Sequence, residues 1–593
     1  MRIKHFFGLA VLAAMTASCS SNNDLVNGGN GENETGASYA SITINLPTTS
    51  GTRAAYDDFN EGTASEYAVN DATLLIFEKD GSSENEYKFV EQASLGNLEP
   101  WKKDNDANGI TTEATITAQL NKATVGNNNN YYALVILNNK DKNDAEKVTL
   151  PTGTITYGKW NVAASATAAL VDNTKGFYMA NAPEFTTKDV EPTTLVPIKG
   201  IYRTKEEAQS KPGTTVHVER GLAKVTVGKN STSTKDYFGA DGANATGTKY
   251  SSDNVQITKW ALDVTNTKSF PVHVTSGLQA GTTSKGETVP AYAEIWSNTP
   301  GTTAATSRFV SQLPATDAFK RVYWGIDPNY STNYMSVEAC KGAFNVLGNA
   351  EITGDVANPQ YCLENTFDIE HMQQGQTTRV VFKAKYTPKD FADNETFYKI
   401  GNNTDIWNKT KLEAQIKAKA QEVLSETDAD KVTVKLNATE NDIAGTAGTK
   451  ILKVENVQHN GANVLPEQIN AINVKLGLKD ATTTDPIVGI ATYVSGDSYY
   501  IARIKHFGDD LTPWAAGNDT YGENNDANNT KYLGRYGVLR NNWYDLTVNS
   551  ISGPGYPDVP EVKPDTPDDE DTKYINVSVK ILDWAKRSQT LDL

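Results

Sequence analysis

Residues that bind metals or carry out catalysis are scarce in this chain. Its 593 residues include three cysteines and six histidines, and the histidines are scattered along the sequence. Outside the amino terminus only two cysteines remain, and two cysteines without a histidine cluster do not make a metal site. No G-x-S-x-G, H-E-x-x-H, P-loop or dinucleotide-binding fingerprint follows the amino-terminal segment. We therefore expect no metal, no cofactor and no enzymatic activity.

Positive charge and long apolar runs are also in short supply. The 55 lysines and arginines are outnumbered by 72 acidic residues, which gives a net charge of −17. Nucleic acids and anionic membrane surfaces attract basic patches, so neither is expected as a partner. After the amino-terminal stretch, no segment approaches the run of about 18 apolar residues that predicts a transmembrane helix.

The residues that are abundant favour β-structure. Glycine (44) and tyrosine (27) are frequent, and short Val/Ile runs are broken by Gly, Asn and Asp. We predict one β-sandwich domain over residues 54–252 and a second over residues 253–553, separated by the polar stretch 229–253. Residues 406–424 are the best helix, because four apolar residues lie along one side: Leu412, Ile416, Ala420 and Val423.

The amino terminus has the layout of an export signal. Arg2 and Lys4 precede the apolar stretch 6–14, and small residues then lead to Cys19. This predicts a lipoprotein signal peptide over residues 1–18, with Cys19 lipidated and the polar residues 20–37 as a tether. A plain secretory signal is the alternative. Membrane contact would be made only through the lipid of this precursor.

Export also bears on the two other cysteines, Cys340 and Cys362. A disulfide between them could persist in an oxidising compartment. Two separate buried thiols are the alternative.

A half-buried strand is predicted near the amino terminus over residues 40–46. Ile42, Ile44 and Leu46 share one face, while Ser41, Thr43 and Asn45 share the other. Arg53 follows shortly and is the only lysine or arginine between Lys4 and Lys79. This placement predicts proteolytic processing between Arg53 and Ala54, with residues 19–53 as a propeptide that carries the first strand. An ordinary solvated arginine is the alternative.

The carboxyl end, residues 554–593, repeats the pattern of one strand beside a polar segment. Residues 554–571 hold five prolines and seven acidic residues and predict an extended linker that could span about 55 Å. A strand is predicted after this linker, with one apolar face formed by Ile575, Val577, Val579 and Ile581. Trp584 follows the strand. An isolated strand is not stable in water, so it must insert into a sheet.

These two ends suggest a mechanism of assembly. If the first strand is cut away at Arg53, its sheet loses a strand and gains unpaired backbone groups beside an apolar floor. The tail of another chain offers a matching alternation, and strand addition is an established recognition mode. Four buried aliphatic side chains give an upper bound of about 6–12 kcal/mol for the joint.

Several segments, in this order along the chain, resemble the fimbrillin superfamily of type V pilins, of the minor-fimbrium major-subunit type. They are Val69–Phe77, Tyr131–Asn138, Arg220–Val227, Tyr361–Thr366, Arg379–Phe382, Tyr499–Phe507 and Arg540–Val548. The resemblance implies an all-β fold, with two tandem transthyretin-like Greek-key β-sandwich domains and a C-terminal donor strand. It also implies transit to the outer membrane as a lipoprotein, maturation by an arginine-specific protease, and an extracellular homopolymer of identical subunits with accessory tip and anchor pilins, active in adhesion and biofilms.

Two other features of the sequence allow different interpretations. Nine tryptophans and the many tyrosines could line a glycan platform, so the second hypothesis is a carbohydrate-binding outer-membrane lipoprotein. Residues 104–109 start like a calcium loop, but an EF-hand needs Glu at its twelfth position, where Thr115 stands. A turn rich in Asp and Asn is the simpler prediction there.

Overall fold

A computed structural model gives the fold of the chain. It describes residues 36–46, 63–96, 98, 113–126, 130–140, 147–163, 166–167, 174–184, 192–229, 231–247, 249–275, 322, 324–330, 332, 334–368, 371–437, 443–482, 487–506, 534–568 and 575–582. Strands dominate these ranges and helices are few, so the predicted all-β class is confirmed.

The chain up to Arg220 contributes most of one large sheet. Its elements are β1 (Ser38–Asn45), α1 (Ala64–Tyr67), β2 (Ala72–Glu78), β3 (Lys88–Gly96), β4 (Glu113–Leu120), β5 (Tyr131–Leu137), α2 (Tyr157–Ala163), β6 (Ala166–Thr167), β7 (Met179–Asn181), β8 (Val196–Pro197), α3 (Lys205–Gln209) and β9 (Thr214–Arg220). The strand order is β3-β2-β5-β7-β9-β1-β4, and β8 pairs with β5.

Continuous apolar runs place β2 and β5 in the interior of this sheet. Leu74 to Phe77 and Ala133 to Leu137 are all buried, as expected for strands that are covered on both faces. Helix α2 covers β2, because the ring of Phe77 lies 5.7 Å from that of Tyr157 and 6.4 Å from that of Trp160.

The rest of the chain forms two further sheets and several small ones. Its elements are β10 (Leu222–Lys229), β11 (Ala243–Asn244), β12 (Asn254–Asp263), β13 (Thr265–Asn266), β14 (Lys268–Ser269), α4 (Val337–Ala343), β15 (Phe344–Asn345), β16 (Gln360–Leu363), β17 (Arg379–Thr387), β18 (Phe397–Ile400), α5 (Lys409–Leu424), β19 (Val432–Val434), β20 (Gly448–Lys450), β21 (Val457–His459), β22 (Ala462–Asn463), α6 (Pro466–Lys475), β23 (Ile490–Tyr493), β24 (Asp497–Arg503), β25 (Trp543–Ile551) and β26 (Ile575–Leu582). The two main sheets have the orders β16-β10-β25-β26 and β11-β12-β17-β24. One hydrophobic cluster contains buried side chains of both sheets, as in a β-sandwich.

The chain passes from the first sheet into the second group of sheets at Gly221. Strand β9 ends at Arg220 in the first sheet, and β10 begins at Leu222 in another sheet. Leu222 is still buried in the first hydrophobic cluster, whereas Ala223 and Val225 are buried in the second. Gly221 donates its N–H to the carbonyl of Tyr178 at 2.9 Å, and a Cβ there would lie 3.1 Å from the Tyr178 ring. The boundary between residues 252 and 253 stays a prediction.

Residues 397–493 form a small unit inserted between β17 and β24, with its own hydrophobic cluster. The predicted helix is confirmed as α5, with Leu412, Ile416 and Ala420 buried. Asn408 caps it, since its side chain accepts a hydrogen bond from the Lys411 N–H at 3.0 Å. Helix α5 packs with α6 and β19 in this unit, not on the main sheets.

The possible disulfide between Cys340 and Cys362 is not formed. Cys340 and Cys362 are both free and buried, and they belong to different hydrophobic clusters. Burial raises the pKa of the Cys362 thiol to about 12 and also raises that of Cys340. The alternative of two separate buried thiols is the correct one.

No helix within the described ranges combines the length and the apolar character that a membrane span requires.

Candidate functional site

The first strand of the chain is an interior strand of the first sheet. Strand β1 pairs antiparallel with β4 over its whole length, from Ser38 opposite Leu120 to Asn45 opposite Glu113. On its other side it runs parallel to β9, with Ile42 opposite Thr214. No described strand joins β9 to β4 except β1. Its removal would therefore open a gap inside the sheet.

The predicted alternation of β1 is confirmed on its core face. Ile42, Ile44 and Leu46 are all buried in the first hydrophobic cluster, with Ala40 beside them. At about 1.5–3 kcal/mol for each large side chain, these three contribute at most about 4.5–9 kcal/mol.

The opposite face of β1 is more covered than predicted. Ser41 is buried, and Thr43 and Asn45 are half-buried. The chain just before β9 passes close to this face, because a Cβ on Gly213 would lie 2.5 Å from Thr43 Oγ1. Glycine at this position lets the backbone approach β1.

Polar contacts fix the register of β1. Ser38 Oγ donates to the carbonyl of Ala123 at 2.8 Å. The backbones of Tyr39 and Tyr202 exchange two hydrogen bonds of 2.8 Å. Thr43 Oγ1 lies 2.9 Å from Thr115 Oγ1 on β4. The strand is therefore held by specific bonds as well as by apolar burial.

The predicted processing and lipidation residues, Arg53, Ala54 and Cys19, lie outside the described residues. The structure does show what flanks the processing segment. Strand β1 precedes this segment in the chain, and α1, whose Glu66 is buried, follows it. Both flanking elements are packed against the rest of the protein.

Glu66 is held by three side chains, from the end of β9, from β10 and from β16. Lys224 Nζ lies 2.8 Å from Glu66 Oε1, and the Tyr361 hydroxyl donates to the same oxygen at 2.5 Å. Arg220 Nε donates to the backbone carbonyl of Glu66 at 2.8 Å. Burial alone would raise the pKa of Glu66, but the bonds from Lys224, Tyr361 and the Thr63 N–H lower it below its usual value. No sequence pattern indicated this group.

The tail strand has a partner within its own chain, so the prediction of an isolated strand is wrong for the single molecule. Strand β26, which carries Ile575, Val577, Val579 and Ile581, pairs antiparallel with β25. Among the described strands it lies at the edge of its sheet, beside β25. Trp584 lies outside the described residues.

The proline-rich segment before the tail is docked, not free. We call residues 554–568 the strap. Tyr556 exchanges backbone hydrogen bonds of 2.8 and 2.7 Å with Tyr499 on β24, and Val562 and Asp568 are buried. The prediction of an extended linker is therefore wrong for these residues.

Neither the histidines nor the acidic residues assemble a metal site in the parts of the chain that the structure describes. The calcium-like residues 104–109 lie outside the described ranges.

Comparison with known proteins relates the carboxyl-terminal region to one family. The family model described as "Major fimbrial subunit protein type IV, Fimbrillin, C-terminal" matches residues 491–590. The carboxyl-terminal part of the chain is therefore similar to the fimbrillin family. The matched region contains β24, β25, the strap and β26, so it includes both the tail strand and the strand that it pairs with. No curated protein matches the sequence.

Three solved structures of other proteins align with most of this chain. A candidate cell adhesion protein of Parabacteroides distasonis has 10% identity and a TM-score of 0.35, covering 93% of this chain and 98% of that chain. One of Bacteroides eggerthii has 11% identity and a TM-score of 0.31, covering 95% and 100%. The tip fimbrial protein Mfa3 of Porphyromonas gingivalis, truncated at its C-terminus, has 10% identity and a TM-score of 0.25, covering 92% and 100%. These TM-scores are too low to define the fold, which rests on the strands described above.

Proposed function

We propose that this protein is a fimbrillin, a structural subunit of a cell-surface fimbria that is polymerised by strand exchange. It is exported as a lipoprotein through Cys19 and held at the outer membrane as a lipidated precursor. An arginine-specific protease cuts between Arg53 and Ala54, and the mature subunit joins an extracellular fimbrium that serves adhesion and biofilm formation. Its partners are identical subunits, with accessory tip and anchor pilins at the ends.

The observation that supports this proposal best is the position of β1. It is the strand that precedes Arg53 in the chain, and it lies between β9 and β4. A cut after Arg53 separates β1 covalently from the rest of the sheet. Loss of an edge strand would leave the sheet intact, whereas loss of β1 leaves a groove with unpaired backbone on both sides.

The tail is a suitable occupant for that groove. Within the described part of its own chain β26 pairs with β25 on one side. Between β9 and β4 it would gain hydrogen bonds along both edges and bury its apolar residues in a core. Exchange is therefore favourable once the groove is empty, while an uncut precursor has no vacant position to offer.

Mass spectrometry of filaments sheared from cells tests the proposal. Filament protein should begin at Ala54, and precursor extracted from membranes should begin at lipidated Cys19. Arg53→Ala should leave folded, lipid-anchored monomer. Filaments that still carry residues 38–53 covalently would contradict the mechanism.

A further inference from the structure

We propose that the strap stays docked on its own subunit during polymerisation, so that the tail pivots at Asp568 and the groove of the next copy must lie close to that residue. This inference rests on the proposed strand exchange and adds the geometry of the joint. It concerns the interface between two copies of this chain.

The strap begins with a tightly bound turn. Gly555 donates its N–H to Ser498 Oγ at 2.9 Å and accepts from the Tyr493 hydroxyl at 2.8 Å. A Cβ on Gly555 would lie 2.1 Å from the carbonyl oxygen of Tyr499, so the strap backbone is packed directly against β24. Tyr556 then pairs with Tyr499 through both backbone groups.

The middle of the strap combines a charged contact with apolar burial. Arg379 is buried, pairs with Asp263 at 2.8 Å, and donates from Nη2 to the carbonyl of Pro560 at 2.5 Å. Val562 is buried in a cluster with Val264 and Phe344. If this part of the strap undocked, the buried Arg379 guanidinium would lose its hydrogen bond to Pro560, and Val562 would be exposed to water.

The end of the strap is the most enclosed part. Asp568 is fully buried, and its Oδ2 accepts from Thr377 Oγ1 at 3.0 Å. Its N–H donates to the carbonyl of Met372 at 3.1 Å, and the Gln374 N–H donates to the carbonyl of Thr566 at 2.8 Å. A buried carboxylate held in this way fixes the point at which the chain leaves the domain.

Strand exchange does not require any of these bonds to break. The ladder that must open joins β25 to β26, whereas the strap is bound to β24 and to residues 372–379. The tail can therefore leave its sheet while the strap stays in place.

A docked strap shortens the reach of the tail. From Asp568 to Ile575 there are seven peptide steps, which span at most about 23–25 Å when fully extended. The sequence alone suggested about 55 Å for a free linker of this composition. The groove between β9 and β4 of the next copy must therefore begin within about 25 Å of Asp568, so neighbouring subunits abut.

A disulfide lock tests whether the strap moves. Gln373 and Pro567 are opposite each other in an antiparallel bridge, which brings their Cα atoms within the range that a disulfide spans. Gln373→Cys with Pro567→Cys is made in a Cys340→Ala background, because that native thiol lies near this part of the strap. Each single cysteine variant in the same background, and the reduced double variant, are the controls.

The oxidised lock should polymerise within twofold of its reduced form, with the same axial repeat by electron microscopy. Loss of filaments on oxidation, restored by reduction, would show that the strap must leave and would overturn the inference. If the wild-type protein itself forms no filaments by strand exchange, the proposed function fails. That outcome differs from a loss of filaments in the oxidised lock alone, which would contradict only the docked strap.

A second measurement does not depend on the lock. The amides of Tyr556 and Asp568 should be as protected from hydrogen exchange in filaments as in the monomer. A tenfold or greater loss of protection on assembly would contradict a docked strap.

Discussion

Lys224 Nζ lies 2.8 Å from Glu66 Oε1, and both side chains are almost fully buried. The pair joins α1, which follows the processing segment, to β10. The same ammonium lies 3.8 Å from the centre of the Trp543 ring on β25. One cation thus contacts the segment after the processing region and the strand that holds the tail.

Breaking this pair should be costly. Lys224→Met leaves the Glu66 carboxylate buried without its cation, and we expect the free energy of unfolding to fall by about 3–5 kcal/mol. Urea denaturation measures it. Lys88, which forms a 2.7 Å ion pair with Asp80 at the surface, is the matched control, and Lys88→Met should have a much smaller effect. Equal losses from both variants would mean that burial of the pair is unimportant.

The core face of β1 should contribute more to stability than its other face. In the uncut precursor, Ile44→Ala should lower the free energy of unfolding by about 2–5 kcal/mol, because Ile44 is fully buried. Asn45→Ala, one residue away and half-buried, should change it by less than about 1 kcal/mol. After cleavage and loss of β1 the difference between the two variants should vanish. A difference that persists would place Ile44 outside the exchanged strand.

Acid should weaken the sheet beside β1. Burial lowers the pKa of His217, opposite Asn45 on β9, to about 4. An unfolded chain has a histidine pKa near 6.5, so between pH 6.5 and pH 4 the unfolded state binds a proton that the folded state does not. The free energy of unfolding should therefore fall as pH drops through this window, by about 1–3 kcal/mol from this residue. Thermal unfolding of His217→Gln should show a shallower pH dependence than the wild type, and parallel curves would contradict the assignment.

Neighbouring residues of the tail should differ in their effect on assembly. The register sets Val579 opposite Leu546, which is buried, and Ser578 opposite Thr547, which is half-buried. Val579→Asp should prevent filaments, because a buried charge without a partner costs several kcal/mol. Ser578→Asp should assemble nearly as the wild type. Electron microscopy and SDS-resistant ladders compare the two, and equal effects would mean that the tail does not insert as an alternating strand.

Local patterns explain what could be predicted from the sequence. The alternation of Ile42, Ile44 and Leu46 and the spacing of Leu412, Ile416 and Ala420 are set by strand and helix geometry within a few residues. The predicted strand β1 and helix α5 were therefore confirmed close to their predicted bounds.

Contacts between distant residues explain what could not be predicted. The composition of the strap is typical of an exposed linker, yet Val562 and Asp568 are buried by partners far away in the sequence, among them Val264 and Thr377. The ion pair of Glu66 with Lys224 has the same origin.

The direct passage from β9 through Gly221 into β10 has a mechanical consequence. In a filament built as proposed, a pulling force enters each subunit at the groove, where β9 holds the inserted tail of its neighbour. It crosses Gly221 along a single covalent chain into β10, whose ladder with β25 runs from Lys224 opposite Trp543 to Lys229 opposite Val548. From β25 it leaves through the strap and the subunit's own tail. Because β10 and β25 run parallel, a pull at the start of β10 and at the end of β25 loads their ladder in shear, and its hydrogen bonds resist together instead of opening one by one.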